Sequence, residues 1–263
     1  MRFGIHNKRR ASLLLASVVL AAFGASAAFA ASTSPTVSLF AQLSRTVLPR
    51  DRDVPVELHV DTTLGSNDGQ IPPNVSQFTV SFNRHGRIDN HGLPTCASST
   101  VEQRTAASAL AACKSALVGH GTISGTIQFP DKDPFNATGK VQAFNGRSGG
   151  RDAILMQVEV TEPAPVAFVI PLVPQKTAGE FGTTFTATLP PVAGGFGTLT
   201  GLDLTMGRRY RFRGKRHSFL SASCPVPKGL PGGIFPLAEA SYLLETGKTL
   251  SATAIGSCRA EGR

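Results

Sequence analysis

Between residues 54 and 254, apolar and polar side chains alternate in short runs, and most runs stop at Gly, Pro, Asn or Asp. A period of two puts successive side chains on opposite faces, so each run presents one face for burial and leaves the other to solvent. Val54-Pro55-Val56-Glu57-Leu58-His59-Val60-Asp61 is one such run, and Phe78-Thr79-Val80-Ser81-Phe82-Asn83 is another. Ile123, Gly125, Ile127 and Phe129 share a face. Residues 141–144 lead through Asn145-Gly146 into 154–160, and the Asn-Gly pair predicts a hairpin turn there. Further strands are expected at 166–170, 181–189, 198–206, 209–213, 218–224, 241–244 and 250–254. Pro171 and Pro174 make 166–170 an edge strand or a crossover, because proline donates nothing to a ladder. About ten strands with one buried face each are satisfied most economically by a mainly β fold, a two-sheet antiparallel sandwich. Only 16 % of residues are charged, beside 27 Gly and 18 Pro, which argues against a helical bundle. The 41 % apolar fraction argues against a disordered chain.

The N-terminus carries Arg2, Lys8, Arg9 and Arg10, then no charge from 11 to 30, and closes on Ala28-Phe29-Ala30. A basic start, a short apolar run and a small-x-small exit read as a secretory signal over 1–30, cleaved after Ala30. A retained anchor is the competing reading, but the densest apolar stretch, 13–23, falls short of the roughly 20 residues that span a bilayer. Residues 31–263 are then expected to form a single secreted β-sandwich domain without a membrane span. A division into two subdomains near Pro163 is the alternative. Removing four basic side chains lowers the formal charge from +9 to +5, too mild for a dedicated nucleic-acid binder.

Export places Cys96, Cys113, Cys224 and Cys258 where thiols oxidise, and an even count fits two bridges. Three connectivities exist, and proximity favours Cys96–Cys113 with Cys224–Cys258. Loops of about 18 and about 35 residues give roughly 3 and roughly 4 kcal/mol on the loop-entropy estimate. No Cys/His pair has metal-ligand spacing. The first bridge also limits the one helix. A straight helix from Thr100 to Cys113 would be about 20 Å long, whereas bridged Cα atoms lie about 4.4–6.8 Å apart. The helix is therefore expected to be capped at Thr105 and to run to about Leu117, its alanines suiting close packing on a sheet.

Gly92-Leu93-Pro94-Thr95-Cys96, then Ala109-Leu110, Cys113 and residues 116–121, resemble segments of a group of secreted proteins from high-GC Gram-positive bacteria. So does the ending Ser221-Ala222-Ser223-Cys224-Pro225, Thr246-Gly247 and Cys258. The resemblance implies export and the same cysteine pairing, and supplies no catalytic residues.

Candidate chemistry is sparse. Gly146-Arg147-Ser148-Gly149-Gly150 matches the G-x-S-x-G nucleophile elbow, which needs a helix after the serine. Here 152–160 reads as a strand, and a hairpin tip explains the same residues. His85, Asp89 and His91 have spacing for a divalent ion, but the same residues are ordinary in a turn. Asp131-Lys132-Asp133 resembles the opening of a calcium loop without its glycine or closing glutamate. Asp61 with Asn67 and Asp68 is a second oxygen-rich candidate.

The most unusual local feature is six basic residues in nine positions: Arg208, Arg209, Arg211, Arg213, Lys215 and Arg216. As a strand, this places Arg209, Arg211 and Arg213 on one face and Tyr210 and Phe212 on the other. Such a cluster attracts polyanions, and it also protects an exposed edge from sheet-to-sheet aggregation. With no Trp and two Tyr the chain lacks the aromatic platforms of a sugar-binding sandwich. The expectation is a secreted, non-catalytic structural or binding protein of the envelope or extracellular space. It requires no cofactor and no metal, and contacts an anionic cell-envelope polymer through the basic strand. The alternative is an extracellular serine hydrolase using Ser148 with His59, His85, His120 or His217.

Overall fold

The computed structural model describes residues 34–162 and 165–261. The expected signal at 1–30 lies outside the described residues. The first strands are β1 (Pro35–Leu43), β2 (Val47–Leu48), β3 (Val54–Pro55), β4 (Leu58–Ser66), β5 (Val75–Asn83), β6 (Gly86–Ile88) and β7 (Cys96–Ala97). Helices α1 (Ser98–Val101) and α2 (Ala106–Cys113) follow, with a 3-10 turn at Lys114–Ala116. The chain continues as β8 (Leu117–Ile127), β9 (Phe135–Ser148), β10 (Arg151–Val160), β11 (Val166–Lys176), β12 (Phe181–Thr188) and β13 (Gly197–Met206). It ends with β14 (Arg209–Phe212), β15 (Lys215–Ser218), β16 (Leu220–Ala222), β17 (Gly232–Leu244) and β18 (Thr249–Ala260).

The fold is mainly β and sandwich-like, as the alternation requires. The two layers are nevertheless parts of one 13-stranded sheet in the order β1-β4-β13-β8-β9-β10-β11-β12-β5-β17-β18-β2, with β7 beside β9. The sheet folds over at β11. Its first part pairs with β10, from Val166 opposite Val160 to Leu172 opposite Ile154, and its last part pairs with β12, from Val173 to Lys176. Pro171 and Pro174 sit at this passage, so the crossover reading of the proline pair holds and the edge reading does not. The strands either side of 163–164 thus pair directly. At the opposite margin β1 lies alongside β18 without ladder bonds. Two small sheets, β14-β15 and β3-β16-β6, lie outside the main one.

Inward-facing residues of both layers make the main core, among them Leu58, Val60, Phe78, Met156, Phe185 and Leu237. A buried polar contact crosses it: the Tyr242 hydroxyl donates to Thr62 Oγ1 at 2.8 Å, and Thr62 donates to Ser38 O at 3.0 Å. A second core lies on the outer face of β9 and β10, where Val101, Ala109, Phe144, Ala153 and Leu155 pack beneath the helices. That is why Ala153 to Val158 are buried on both faces.

The helical segment is broken where the first bridge demands. The Cα atoms of Cys96 and Cys113 are 5.7 Å apart, and those of Cys224 and Cys258 also 5.7 Å. Between α1 and α2 the backbone turns at Gln103, with φ 54°. Thr105 caps α2, its Oγ1 accepting from Ser108 N at 3.2 Å, and the Glu159 carboxylate on β10 accepts from Ala106 N at 2.9 Å. The helix is shorter than expected. It gives way to the 3-10 turn after Cys113, and Leu117 already begins β8.

The expected turn at Asn145-Gly146 is also displaced. Both residues lie within β9, and the reversal occurs at Gly149-Gly150, whose φ values of 56° and 77° suit a two-residue hairpin loop. Asn145 is buried and donates to Leu93 O and Pro94 O, holding the loop before Cys96. A side chain that satisfies buried carbonyls lowers the energy of the extended register more than a turn there would.

Candidate functional site

The basic segment folds into a two-stranded hairpin of its own. Arg209 pairs with Ser218, Tyr210 with His217, Arg211 with Arg216, and Phe212 with Lys215. Directly opposed residues share a face, so Arg209, Arg211 and Arg216 lie together and Tyr210, Phe212, Lys215 and His217 lie on the other side. Arg213 departs from the expected alternation: it occupies the turn with φ 50°, and its guanidinium stands 5.1 Å from the centre of the Phe212 ring. Arg208 is an anchor, donating to Lys114 O at 3.0 Å and Leu117 O at 2.7 Å. The six basic residues therefore divide into three on one face, two near the tip and one structural tie.

The aromatic face seats the hairpin on the loop after β6. The Tyr210 hydroxyl donates to His91 O at 2.8 Å, and the His91 and Phe212 rings meet edge to face at 5.2 Å. His217 stacks on Tyr210 at 5.4 Å. Gly92 makes this approach feasible: its φ is 73°, and a Cβ there would stand 2.2 Å from Phe212 Cγ. Burial first, and then the Asp89 carboxylate, raise the Tyr210 hydroxyl above its ordinary value of 10.0.

The arginine face forms one wall of a groove of about 830 Å³. Arg87 from β6 joins Arg209, Arg211 and Arg216 there, with Asp53 and Asp89 also lining it. All four arginines are exposed. Among the described residues, the ion pairs are Arg52–Glu261, His59–Asp203 and Arg147–Asp152, so none of the four has a carboxylate within 4.0 Å. Arg211 and Arg216 face each other across the ladder, an arrangement that like charge destabilises and that a bound anion would relieve.

The other candidates are scattered. Ser148 ends β9, directly before the Gly149-Gly150 turn, and a strand rather than a helix follows. No hydrogen bond joins Ser148 to a histidine among the described residues. His59 Nδ1 lies 3.3 Å from Thr205 Oγ1, and its Nε2 lies 3.6 Å from Asp203 Oδ2. These three sit on neighbouring strands of an open sheet face. His85 lines the interior between the layers, His120 is exposed on β8, and His217 belongs to the hairpin.

Asp89 accepts from His91 N at 2.9 Å, a local turn bond, while the His91 ring is engaged with Phe212. Asp131 occupies a turn with φ 59°. Asp61 is inside β4, whereas Asp68 lies in the following turn. Hydrogen bonds from Ser66 and then Gln70 hold the Asp68 carboxyl below the usual value of 3.8. Among the described residues no group of three His, Cys, Asp or Glu side chains is arranged to hold a metal ion. No helix among them is long and apolar enough to cross a membrane.

Two features escape the sequence reading. Arg87 is 121 residues before Arg208, and nothing in their local patterns joins them. A large apolar cavity between the layers depends on how far apart the inner faces stand, which alternation does not encode. Comparison of the chain with protein-family models, with curated proteins and with solved structures finds no match.

Proposed function

We propose that the protein is a secreted, non-catalytic binding module that holds an anionic cell-envelope polymer along the groove of Arg87, Arg209, Arg211 and Arg216. The observation that carries this reading is the set of four exposed guanidinium groups without carboxylate partners along one groove. Guanidinium forks match phosphate and carboxylate oxygens in pairs, and a repeating anion would engage several at once. The disulfides, the basic apolar leader and the resemblance around the cysteines support export.

Poly(glycerol phosphate) serves as the probe, with uncharged dextran as its control. Binding to the polyanion should weaken steeply between low and physiological salt, because exposed charges are screened over about 8–10 Å. Arg209→Glu with Arg211→Glu and Arg216→Glu should abolish it, while Arg147→Glu on the β9-β10 hairpin should not. Affinity indifferent to both salt and the triple reversal refutes the proposal. The alternative, an extracellular serine hydrolase, is tested by an esterase and peptidase screen with Ser148→Ala as control. Hydrolysis lost on that substitution would displace the binding reading.

A further inference from the structure

The space between the two layers is lined almost wholly by carbon. At one end it widens into a cavity of about 570 Å³ whose walls include Ile123, Val158, Phe168, Ile170, Leu189 and Leu199. Four of these, Ile123, Ile170, Leu189 and Leu199, also line a narrower interior space of about 120 Å³ that extends toward Phe78, Met156 and Leu237. The two spaces share this wall, so the apolar lining of the passage between the layers continues from one to the other. A cavity of this size falls within the roughly 300–1,000 Å³ of small-molecule sites. Walls of this kind give water too few polar partners to hold it.

The mouth is polar and ordered. Asn74 Nδ2 donates to Gly195 O at 2.8 Å and to Glu245 Oε2 at 3.2 Å, and Thr198 Oγ1 donates to Asn74 Oδ1 at 2.6 Å. Among the described residues Glu245 is the one charged side chain lining the 570 Å³ cavity, while His85 and Arg87 line the narrower interior space. Outside the opening, Phe196 and Val166 are exposed, and Phe196 leans on Phe129 at 5.5 Å. Long apolar walls, a hydroxyl- and amide-bearing rim and a single carboxylate favour an extended hydrocarbon chain with an uncharged, hydrogen-bonding head. A fatty-acid anion would bring its own carboxylate beside that of Glu245, where like charges repel.

We propose that this cavity binds one uncharged single-chain lipid, a monoacylglycerol or long-chain alcohol, with its chain between the layers and its hydroxyls at Asn74 and Thr198. The cavity shares no lining residue with the basic groove. The narrower interior space shares with it Arg87 and Ser221, neither of which the groove triple mutant alters, so the two proposals are tested separately.

The test is competition for Nile red by monopalmitoylglycerol and by palmitate at pH 8, on the disulfide-intact protein. Monopalmitoylglycerol should displace the dye at a single site, and palmitate should be about tenfold weaker, the equivalent of 1.4 kcal/mol. Glu245→Lys at the exposed rim should reverse that preference. Leu189→Trp narrows the passage and adds the sole indole of a chain without Trp. With its fold verified by circular dichroism, this variant should lose most lipid binding. If it fails to fold, Ile123→Phe is read in its place. Absence of saturable displacement, palmitate binding as tightly as monopalmitoylglycerol, or unchanged affinity in the folded narrowed variant would each overturn the assignment. Lipid binding that persists in the groove triple mutant is the expected result.

Discussion

Gly92→Ala is the sharpest test of how the basic hairpin is held. Two costs fall on this substitution. At φ 73° an L side chain enters the left-handed region, at roughly 1–2 kcal/mol. The new Cβ would also stand 2.2 Å from Phe212 Cγ, with Cδ2 and Cδ1 at 2.4 and 2.5 Å. Carbon atoms prefer about 3.5–4.0 Å, so the ring must retreat by about 1.3 Å or more. Overpacking of that kind costs about 1–3 kcal/mol. Gly149 supplies the control, because its φ is 56° and nothing lies within 4 Å of its hypothetical Cβ.

Urea denaturation should therefore show Gly149→Ala costing only the conformational part, and Gly92→Ala about 1–3 kcal/mol more. Hydrogen exchange in the β14-β15 ladder should accelerate in Gly92→Ala alone, because Phe212 and Tyr210 lose their seat on His91. In a Phe212→Ala background the excess should disappear, since neighbours that clash are not additive. Equal costs for the two glycines, or an excess that survives removal of the ring, would refute the packing explanation.

Three further expectations follow from the geometry. Replacing Cys224 and Cys258 with alanine should cost about 4 kcal/mol, and Cys96 with Cys113 about 3 kcal/mol, following their separations of 34 and 17 residues. A clearly larger loss at the shorter loop, measured by denaturation, would show that native packing rather than chain entropy dominates. Thr105→Ala should cost about 1 kcal/mol and speed exchange at the Ser108 amide, and a neutral result would assign the cap to Glu159 alone. Both tyrosines should resist ionisation when absorbance is followed at 295 nm. Burial chiefly raises Tyr242, with an opposing hydrogen bond to Thr62, and burial with Asp89 raises Tyr210. Their folded values lie above 10.0, so this contribution to stability is complete below pH 10 and is lost as pH rises past it. Ionisation in the native protein at or below the urea-unfolded midpoint would contradict that sign.

The basic hairpin was only partly legible in the chain. The opposition of Arg209 and Arg211 to Tyr210 and Phe212 follows from a period of two, and the ladder preserves it. The pairing of Arg211 with Arg216 depends on where the turn falls, and Arg213 was drawn into that turn. Arg208 looks like its neighbours in sequence, yet two carbonyls at the end of the helical segment take its guanidinium. The Asn145-Gly146 pair shows the opposite error. Its strong local meaning as a turn is overruled by the buried partners of Asn145 and by the placement of Gly149-Gly150. Ser148, by contrast, stands at a hairpin tip, as its neighbouring glycines suggest.

Residue order alone settled the extended character of the strands, the cap at Thr105 and the break imposed by the Cys96–Cys113 bridge, and narrowed Pro171 and Pro174 to an edge or a crossover. Each depends on groups close in the chain or on a covalent limit, so local geometry suffices. Assembly decided that the layers are one sheet folded at β11, that Arg87 faces the hairpin, and that an apolar passage ends at Glu245. Those outcomes join residues far apart in sequence, and their energies arise only when the layers pack. Alternation says which side of a strand turns inward, but the distance between opposing faces is set by every side chain that meets there.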